Sequence, residues 1–137
     1  MGVLSVFNYF YCHEVKPMIL ICVVDDDASV RNGLGNLLKS LGYRTASFAC
    51  GEDFLASSAV DEAACVLLDL MMKGMQGLEV LNRLRAAEKC VAVFCMSAND
   101  DDETISRIMA AGALGFLRKP FSEEALLESI QLALERT

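Results

Sequence analysis

The sequence is poor in several residues on which many classes of protein depend. Its 137 residues include 2 prolines, 1 histidine and no tryptophan, and no tract has low complexity. Because proline is scarce and the hydrophobic fraction is 54%, a disordered chain is excluded. No apolar run reaches the roughly 18 residues that a membrane-spanning helix requires, so we expect no membrane partner. The composition predicts one globular domain that buries a single core.

Basic residues are also in deficit. The chain has 12 Lys and Arg against 19 Asp and Glu, a formal net charge of −7. Binding to the phosphate backbone of a nucleic acid requires clustered Lys and Arg. We therefore expect no direct contact with nucleic acid.

The 6 cysteines lack the spacing of a metal site or a redox motif, because no two of them form a Cys-x-x-Cys pair. His13 is the only histidine that could complete a zinc site. Most of the cysteines fall in or beside apolar, strand-like runs. We interpret them as free, mostly buried thiols in a reducing compartment, which predicts a cytoplasmic protein.

Residues 1–12 are apolar and aromatic, but no Lys or Arg precedes Lys16, so the first 17 residues lack the basic start of a signal peptide. The pattern leaves open whether they form a docking element or a poorly ordered tail. We therefore divide the chain into an N-terminal extension of uncertain order, residues 1–17, and a folded domain, residues 18–137.

From residue 18 onward, short apolar runs alternate with longer segments of helical period. Residues 18–24 are seven consecutive apolar residues, which indicates a strand buried on both faces of a parallel sheet. Further strands are predicted at 43–48, 65–68, 91–96 and 113–117. Helices are predicted at 28–41, 52–58, 78–87, 100–111 and from Ser122 to the end. Regular alternation of strand and helix with short loops indicates an α/β fold with helices on both faces of a parallel sheet.

Polar residues follow the predicted strands where each strand ends. Asp25 and Asp26 follow the first strand, Asp69 the third, Ser97 the fourth and Lys119 the fifth. Ligands of open parallel sheets bind beyond the carboxyl ends of the strands. Since neighbouring strands lie about 4.8 Å apart, the carboxylates should gather within roughly 5–8 Å. We expect the Asp69 carboxylate to face Asp26 and Lys119 and to be accessible to solvent.

Carboxylates this close repel one another, by about 3 kcal/mol per pair at 5 Å and an effective dielectric constant of 20, so a cation is required among them. Clustered carboxylate oxygens suit a hard ion such as Mg²⁺. The ammonium of Lys119 is suited to a phosphoryl oxygen. With these charges beside it, a carboxylate can act as a nucleophile towards phosphorus. Asp69 is the better candidate, because the adjacent pair Asp25 and Asp26 is more naturally used to hold the metal.

The segments that carry these residues are Val24-Asp25-Asp26-Asp27, Leu67-Leu68-Asp69-Leu70-Met71, Met96-Ser97-Ala98 and Phe116-Leu117-Arg118-Lys119-Pro120-Phe121. They resemble the motifs of the receiver domain of bacterial two-component response regulators. The resemblance covers residues 18 to about 136, and each motif stands at a predicted strand end in the order that the family has. It implies a flavodoxin-like (βα)₅ three-layer fold with a five-stranded parallel sheet of order 2-1-3-4-5.

The resemblance implies that Asp69 accepts a phosphoryl group from a histidine kinase or a histidine phosphotransfer protein. Mg²⁺, or Mn²⁺ in its place, would be bound by Asp26, Asp69 and the backbone carbonyl of Met71, with Asp25 acting largely through water. The family is not enzymatic beyond self-directed phosphotransfer and autodephosphorylation.

The resemblance also implies a conformational switch. Lys119 would contact the phosphoryl oxygens, the Ser97 hydroxyl would turn towards the phosphoryl group, and Phe116 would move from an exposed to a buried position. The switched surface is that of the fourth predicted helix, the fifth strand and the last helix. It would contact a downstream protein or an output domain missing from this chain, and could form a homodimer.

Two positions depart from the family pattern. Lys73 stands where most receivers have Pro, and Gln76 stands where Asp is frequent. Lys73 and the N-terminal extension keep open a receiver-like binding module that is never phosphorylated. A phosphatase with an aspartate nucleophile would need a second Asp where Met71 stands. A flavin-binding relative would need a loop rich in Ser, Thr and Gly after the first strand.

Overall fold

The computed structural model describes residues 18–99 and 101–136. Strands and helices alternate along this part of the chain. The strands are β1 (Leu20–Val24), β2 (Arg44–Phe48), β3 (Cys65–Asp69), β4 (Ala92–Ser97) and β5 (Gly115–Arg118). The helices are α1 (Ala28–Ser40), α2 (Gly51–Leu55), α3 (Ala59–Glu62), α4 (Gly77–Ala86), α5 (Asp102–Ala110) and α6 (Glu123–Glu135).

The five strands form one parallel sheet of order β2-β1-β3-β4-β5, which confirms the predicted topology. After β1 the chain moves outward to β2, and it then returns to the other side of β1 to form β3. The strand order therefore reverses between β1 and β3, where a crevice is expected at the carboxyl edge of such a sheet. The turn residue Asp25 and the last residue of β3, Asp69, lie at this point.

The sheet divides the buried side chains into two cores, whereas a single core was expected from the composition. Successive side chains of a strand point to opposite faces. Val24 and Leu68 therefore pack in the core covered by α2, α3, α4 and α5. Val23 and Leu67 pack in the core covered by α1 and α6. Every residue of β1 and β3 is buried, as the continuous apolar runs predicted.

The largest departure from the predicted elements is the helix expected at 52–58. In the structure the helix there, α2, already ends at Leu55, and a second short helix that was not predicted, α3, begins at Ala59, with Ser57 between the two. The Ser57 hydroxyl accepts a hydrogen bond of 3.1 Å from the backbone N–H of Ala59, where the second helix begins. Serine is favoured at such helix starts because it competes with the helical backbone bonds. The predicted fourth and last helices are accordingly α5 and α6.

Other element boundaries differ by one or two residues. In the structure β3 extends to Asp69, β4 to Ser97 and β5 to Arg118. Asp69 and Ser97 are therefore the last residues of their strands, and Lys119 directly follows β5. The start of the fourth predicted helix at residue 100, the extension 1–17, Cys12 and His13 lie outside the described residues. Within the described ranges, no helix combines the length and the apolar character needed to cross a bilayer.

The described cysteines are free thiols, as predicted. Burial raises the pKa of the Cys22 thiol to about 11, and it raises those of Cys65 and Cys95 to about 12. These three thiols therefore stay protonated and serve as small apolar side chains of the cores. Cys50 is half-buried and Cys90 is exposed.

Candidate functional site

Three acidic side chains meet where the strand order reverses. Asp25 and Asp26 come from the turn after β1, and Asp69 is the last residue of β3. Each offers a carboxylate oxygen, and these oxygens all lie within 4.8 Å of one another. The parallel pairing of β1 with β3 sets this distance, because both strands end at the same edge of the sheet.

Lys119 supplies a positive charge to this cluster from the end of β5. Its Nζ donates a hydrogen bond of 2.8 Å to Oδ2 of Asp25 and lies 3.5 Å from Oδ1 of Asp69. Its backbone N–H donates to the carbonyl of Ser97, and its peptide bond to Pro120 is cis. Burial disfavours the ammonium, but its hydrogen bond to Asp25 and the charges of Asp69 and Asp25 outweigh this effect, so the pKa of Lys119 is raised.

Asp25 is fully buried and held by contacts on both carboxylate oxygens. Oδ1 accepts a bond of 2.9 Å from the backbone N–H of Asp27, and Oδ2 accepts the bond from Lys119. The backbone carbonyl of Asp25 accepts a bond of 2.7 Å from Nη1 of Arg31, which reaches back from α1. Arg31 therefore fixes the turn that carries two of the acids. The sequence analysis missed this residue, since an arginine on a helix gives no signal of such a contact.

Asp69 faces Asp25, Asp26 and Lys119, as expected, but it is buried, so the expectation of a solvent-accessible carboxylate was wrong. Its side chain is only 7% exposed, because Lys119 and the backbone of Met71 lie against it. Burial and the negative charge of Asp25 raise the pKa of Asp69 to about 6, while Lys119 and the N–H of Met71 oppose the rise. Ionisation of the Asp69 carboxyl group is therefore less favourable in the folded protein than in the unfolded chain.

The loop after β3 contacts two of the acids through its backbone. The N–H of Met71 donates a bond of 3.2 Å to Oδ1 of Asp69, and the N–H of Lys73 donates a bond of 3.1 Å to Oδ2 of Asp26. Asp26 and the side chain of Met71 are exposed, the latter at 65%. The role predicted for the Met71 carbonyl remains a prediction.

The two residues predicted to switch are placed on neighbouring strands. Ser97 ends β4 and is buried, and its Oγ accepts a bond of 3.0 Å from the backbone N–H of Asn99. Phe116 lies in β5 and is half-buried against the core under α5. Their predicted movements are not tested by a single conformation.

Gly77, the first residue of α4, is a further position that the sequence analysis missed. A Cβ on Gly77 would lie 2.6 Å from the backbone oxygen of Asp69 and 2.9 Å from Cα of Leu70. Only a glycine lets the helix start approach the end of β3 this closely. The available signal was a glycine directly before a predicted helix, because glycine is unfavourable at a helical position such as the one it takes after the N-cap Gln76.

The site borders an apolar groove of about 540 Å³ between α1 and the start of α6. Leu34 and Leu37 line it from α1, and Phe121 and Leu126 line it from the opposite side. Ala98 also lines the groove, and Lys119 both lines it and contacts the acidic cluster.

The donor set fits a hard divalent cation. Asp25, Asp26 and Asp69 offer carboxylate oxygens, and among the residues that the structure describes no Cys joins the cluster. Oxygen ligands of this kind suit Mg²⁺ or Mn²⁺. A second positive charge beside the half-buried Lys119 would also offset the repulsion that raises the pKa of Asp69.

Comparison with known proteins agrees with this geometry. Residues 21–131 match the family model of the response regulator receiver domain. The chain is 37% identical over 119 residues to the tetrathionate response regulatory protein TtrR of Salmonella typhimurium, covering 87% of this chain and 56% of TtrR. It is 33% identical over 116 residues to the transcriptional regulatory protein FixJ of Bradyrhizobium diazoefficiens, covering 85% of this chain and 57% of FixJ.

Among solved structures, the chemotaxis protein CheY4 of Vibrio cholerae superposes with a TM-score of 0.79 at 27% identity, covering 85% of this chain and 98% of CheY4. The chain spans about half the length of the curated relatives it matches. The match of sequence motifs, sheet order and family model leads to one conclusion. This chain belongs to the receiver-domain family of two-component response regulators.

Proposed function

We propose that Asp69 accepts a phosphoryl group from a phosphohistidine of a histidine kinase or histidine phosphotransfer protein, in a reaction that depends on Mg²⁺ or Mn²⁺. The observation that carries the proposal is the position of the Asp69 carboxylate. It lies 3.5 Å from the Lys119 ammonium and within 4.8 Å of the carboxylate oxygens of Asp25 and Asp26. A buried carboxylate with a cation on one side and a metal-binding cluster on the other is suited to acyl phosphate formation.

In the transfer step, a carboxylate oxygen of Asp69 attacks phosphorus and forms a new P–O bond. The P–N bond to the donor imidazole breaks, and its electron pair stays on the imidazole nitrogen, which takes up a proton from solvent. Lys119 already lies between Asp25 and Asp69, so its ammonium can contact a phosphoryl oxygen without a large movement. A cation in this position stabilises the charge that the phosphoryl oxygens carry.

Asp26, Asp69 and the carbonyl of Met71 would hold the metal, with Asp25 acting largely through water. When bound, the metal neutralises charge on the phosphoryl oxygens. The exposed position of Asp26 supports its role as the ligand that an entering ion meets first. Asp25 is buried and already engaged by Lys119 and Asp27, which supports its indirect role.

We propose that phosphorylation switches a signalling surface composed of α5, β5 and α6. The Ser97 hydroxyl would exchange its contact with Asn99 for the phosphoryl group, and Phe116 would move further into the core. Two apolar side chains on this surface, Met109 of α5 and Leu127 of α6, are 45% and 37% exposed. They support contact with an output domain, a separate protein or a second copy of the chain.

The donor protein must present its phosphohistidine at the edge where Lys119 lies. The apolar groove beside Lys119, lined by Leu34 and Leu37 of α1, supports docking of a protein donor at this edge. The free buried thiols support a cytoplasmic location. Lys73 and Gln76 remove none of the proposed ligands, so we favour phosphorylation over a receiver-like module that binds without it.

The test is incubation with acetyl phosphate and Mg²⁺, followed by mass spectrometry of the intact protein. We expect an acid-stable, base-labile gain of one phosphoryl group in the wild type and in Asp61→Asn, a control at an exposed carboxylate on α3. The gain should be lost in Asp69→Asn. No gain in the folded wild type would favour the binding module, and turnover of many phosphoester molecules per protein would favour a phosphatase.

A further inference from the structure

We propose that the backbone N–H of Lys73 is a positioning group for the metal site, because it holds Asp26 against the loop that follows β3. The inference rests on the proposed function, since it concerns how this chain prepares Asp26 for a metal. It assigns the effect of residue 73 to its backbone and not to its ammonium group.

The contact joins two loops that are distant in sequence. The N–H of Lys73 donates a bond of 3.1 Å to Oδ2 of Asp26, which lies 47 positions earlier in the chain. In the same loop, the N–H of Met71 donates to Oδ1 of Asp69. The loop after β3 is thereby tied to both acids through its own backbone. The turn carrying Asp26 and the loop carrying the Met71 carbonyl are held together before any ion is bound.

Residue identity at position 73 decides whether this contact can exist. A proline has no backbone N–H and cannot donate this bond. Lys73, unlike a proline at this position, supplies the donor. The departure noted in the sequence therefore has a structural consequence at the acidic cluster.

The bond is expected to strengthen metal binding for two reasons. It fixes the orientation of an exposed carboxylate that would otherwise sample several rotamers. The bond also involves only Oδ2 of Asp26, so it does not occupy Oδ1, the other oxygen that the carboxylate can offer to a metal ion. Hydrogen-bond partners that orient metal ligands typically contribute 10–100-fold in affinity, and an exposed partner should lie near the lower limit.

The experiment compares the Mg²⁺ affinity of the wild type, Lys73→Pro and Lys73→Gln by calorimetric titration of the full chain. Lys73→Pro removes the N–H, and we expect Mg²⁺ to bind about tenfold more weakly. Lys73→Gln keeps the N–H and removes the charge, so its affinity should stay within about twofold of the wild type. Unfolding in urea of the metal-free proteins shows whether a loss of affinity comes from a loss of fold.

An unchanged or increased affinity in Lys73→Pro would overturn the inference, as would an equal effect of Lys73→Gln. A second measurement does not need the proline variant to fold. The amide proton of Lys73 in the metal-free protein should resonate downfield and move upfield in Asp26→Asn by NMR, because a charged acceptor is lost. An unmoved resonance would refute the contact.

The two proposals fail differently. If the wild type is phosphorylated by acetyl phosphate and binds Mg²⁺, but Lys73→Pro binds it equally well, only the positioning role is wrong. If the wild type neither binds Mg²⁺ nor accepts a phosphoryl group, the proposed function and the role of Lys73 both fall.

Discussion

The substitution Asp69→Asn is expected to stabilise the metal-free protein, although it removes the residue on which the proposed function depends. Folding raises the pKa of Asp69 from 3.8 to about 6, through burial and the charge of Asp25. A shift of about 2 units, at about 1.4 kcal/mol per unit, sets an upper limit of about 3 kcal/mol on the cost of ionising this group in the fold. Because the exposed Asp26 connects the cluster to solvent, screening reduces this cost, and we expect a gain of about 1–2 kcal/mol at pH 7.5.

The direction of the pKa shift determines how the stability difference changes with pH. An acid whose pKa is raised by folding destabilises the native state when ionised, so the penalty is present above about pH 6 and is lost as the pH falls towards 3.8. The difference in the free energy of unfolding between Asp69→Asn and the wild type should therefore be largest at pH 7.5 and close to zero near pH 4. Urea unfolding monitored by circular dichroism, at several pH values and without divalent ions, measures it.

The control is Asp61→Asn, which changes an exposed carboxylate paired with Lys89 on the surface. We expect its free energy of unfolding to stay within about 0.5 kcal/mol of the wild type. A destabilised Asp69→Asn at pH 7.5, or a gain that persists unchanged at pH 4, would refute the electrostatic reasoning. Added Mg²⁺ should stabilise the wild type more than Asp69→Asn, since the ion needs the carboxylate that the variant lacks.

Three further changes test other parts of the structure. Gly77→Ala should destabilise the fold by about 1–3 kcal/mol in urea unfolding, because its Cβ would lie 2.6 Å from the backbone oxygen of Asp69. At Gly33 in α1 a Cβ would meet no atom within 4 Å, so Gly33→Ala should instead stabilise the fold by about 0.5–1 kcal/mol. Equal effects of the two glycine variants would contradict the packing argument. Lys119→Met should lower the free energy of unfolding by about 2 kcal/mol at pH 7.5 in the same assay, because it leaves the buried Asp25 and Asp69 without their cation. An unchanged free energy of unfolding would show that the ammonium does not balance the two acids. Leu37→Asp in the apolar groove should slow phosphorylation by a phosphohistidine protein at least severalfold without changing phosphorylation by acetyl phosphate, and equal effects on both donors would place protein docking elsewhere.

The sheet and the position of the acids were predictable because they depend on patterns that a sequence displays directly. Uninterrupted apolar runs such as that ending at Val24 identify strands buried on both faces, and the residues that follow them must lie at one edge of a parallel sheet. Asp25, Asp69 and Lys119 could be assigned to one site for this reason, although they are far apart in the chain.

Contacts made by the backbone or by long side chains were not predictable. The bond from Arg31 to the Asp25 carbonyl and the bond from the Lys73 N–H to Asp26 leave no periodic signal, because they depend on loop conformation. The accessibility of Asp69 was overestimated for a related reason. A position at a strand end does not reveal how closely a flexible lysine and a neighbouring loop cover it.

Reduction of the phosphorylated protein with borohydride, followed by peptide mass spectrometry, tests the central claim most directly. Borohydride converts an aspartyl phosphate to homoserine and leaves unmodified aspartate unchanged, so it identifies the phosphorylated residue. After treatment with acetyl phosphate and Mg²⁺, the account predicts homoserine at position 69 and aspartate at positions 25 and 26. Homoserine at another position, or at none in a protein that remains folded, would contradict it.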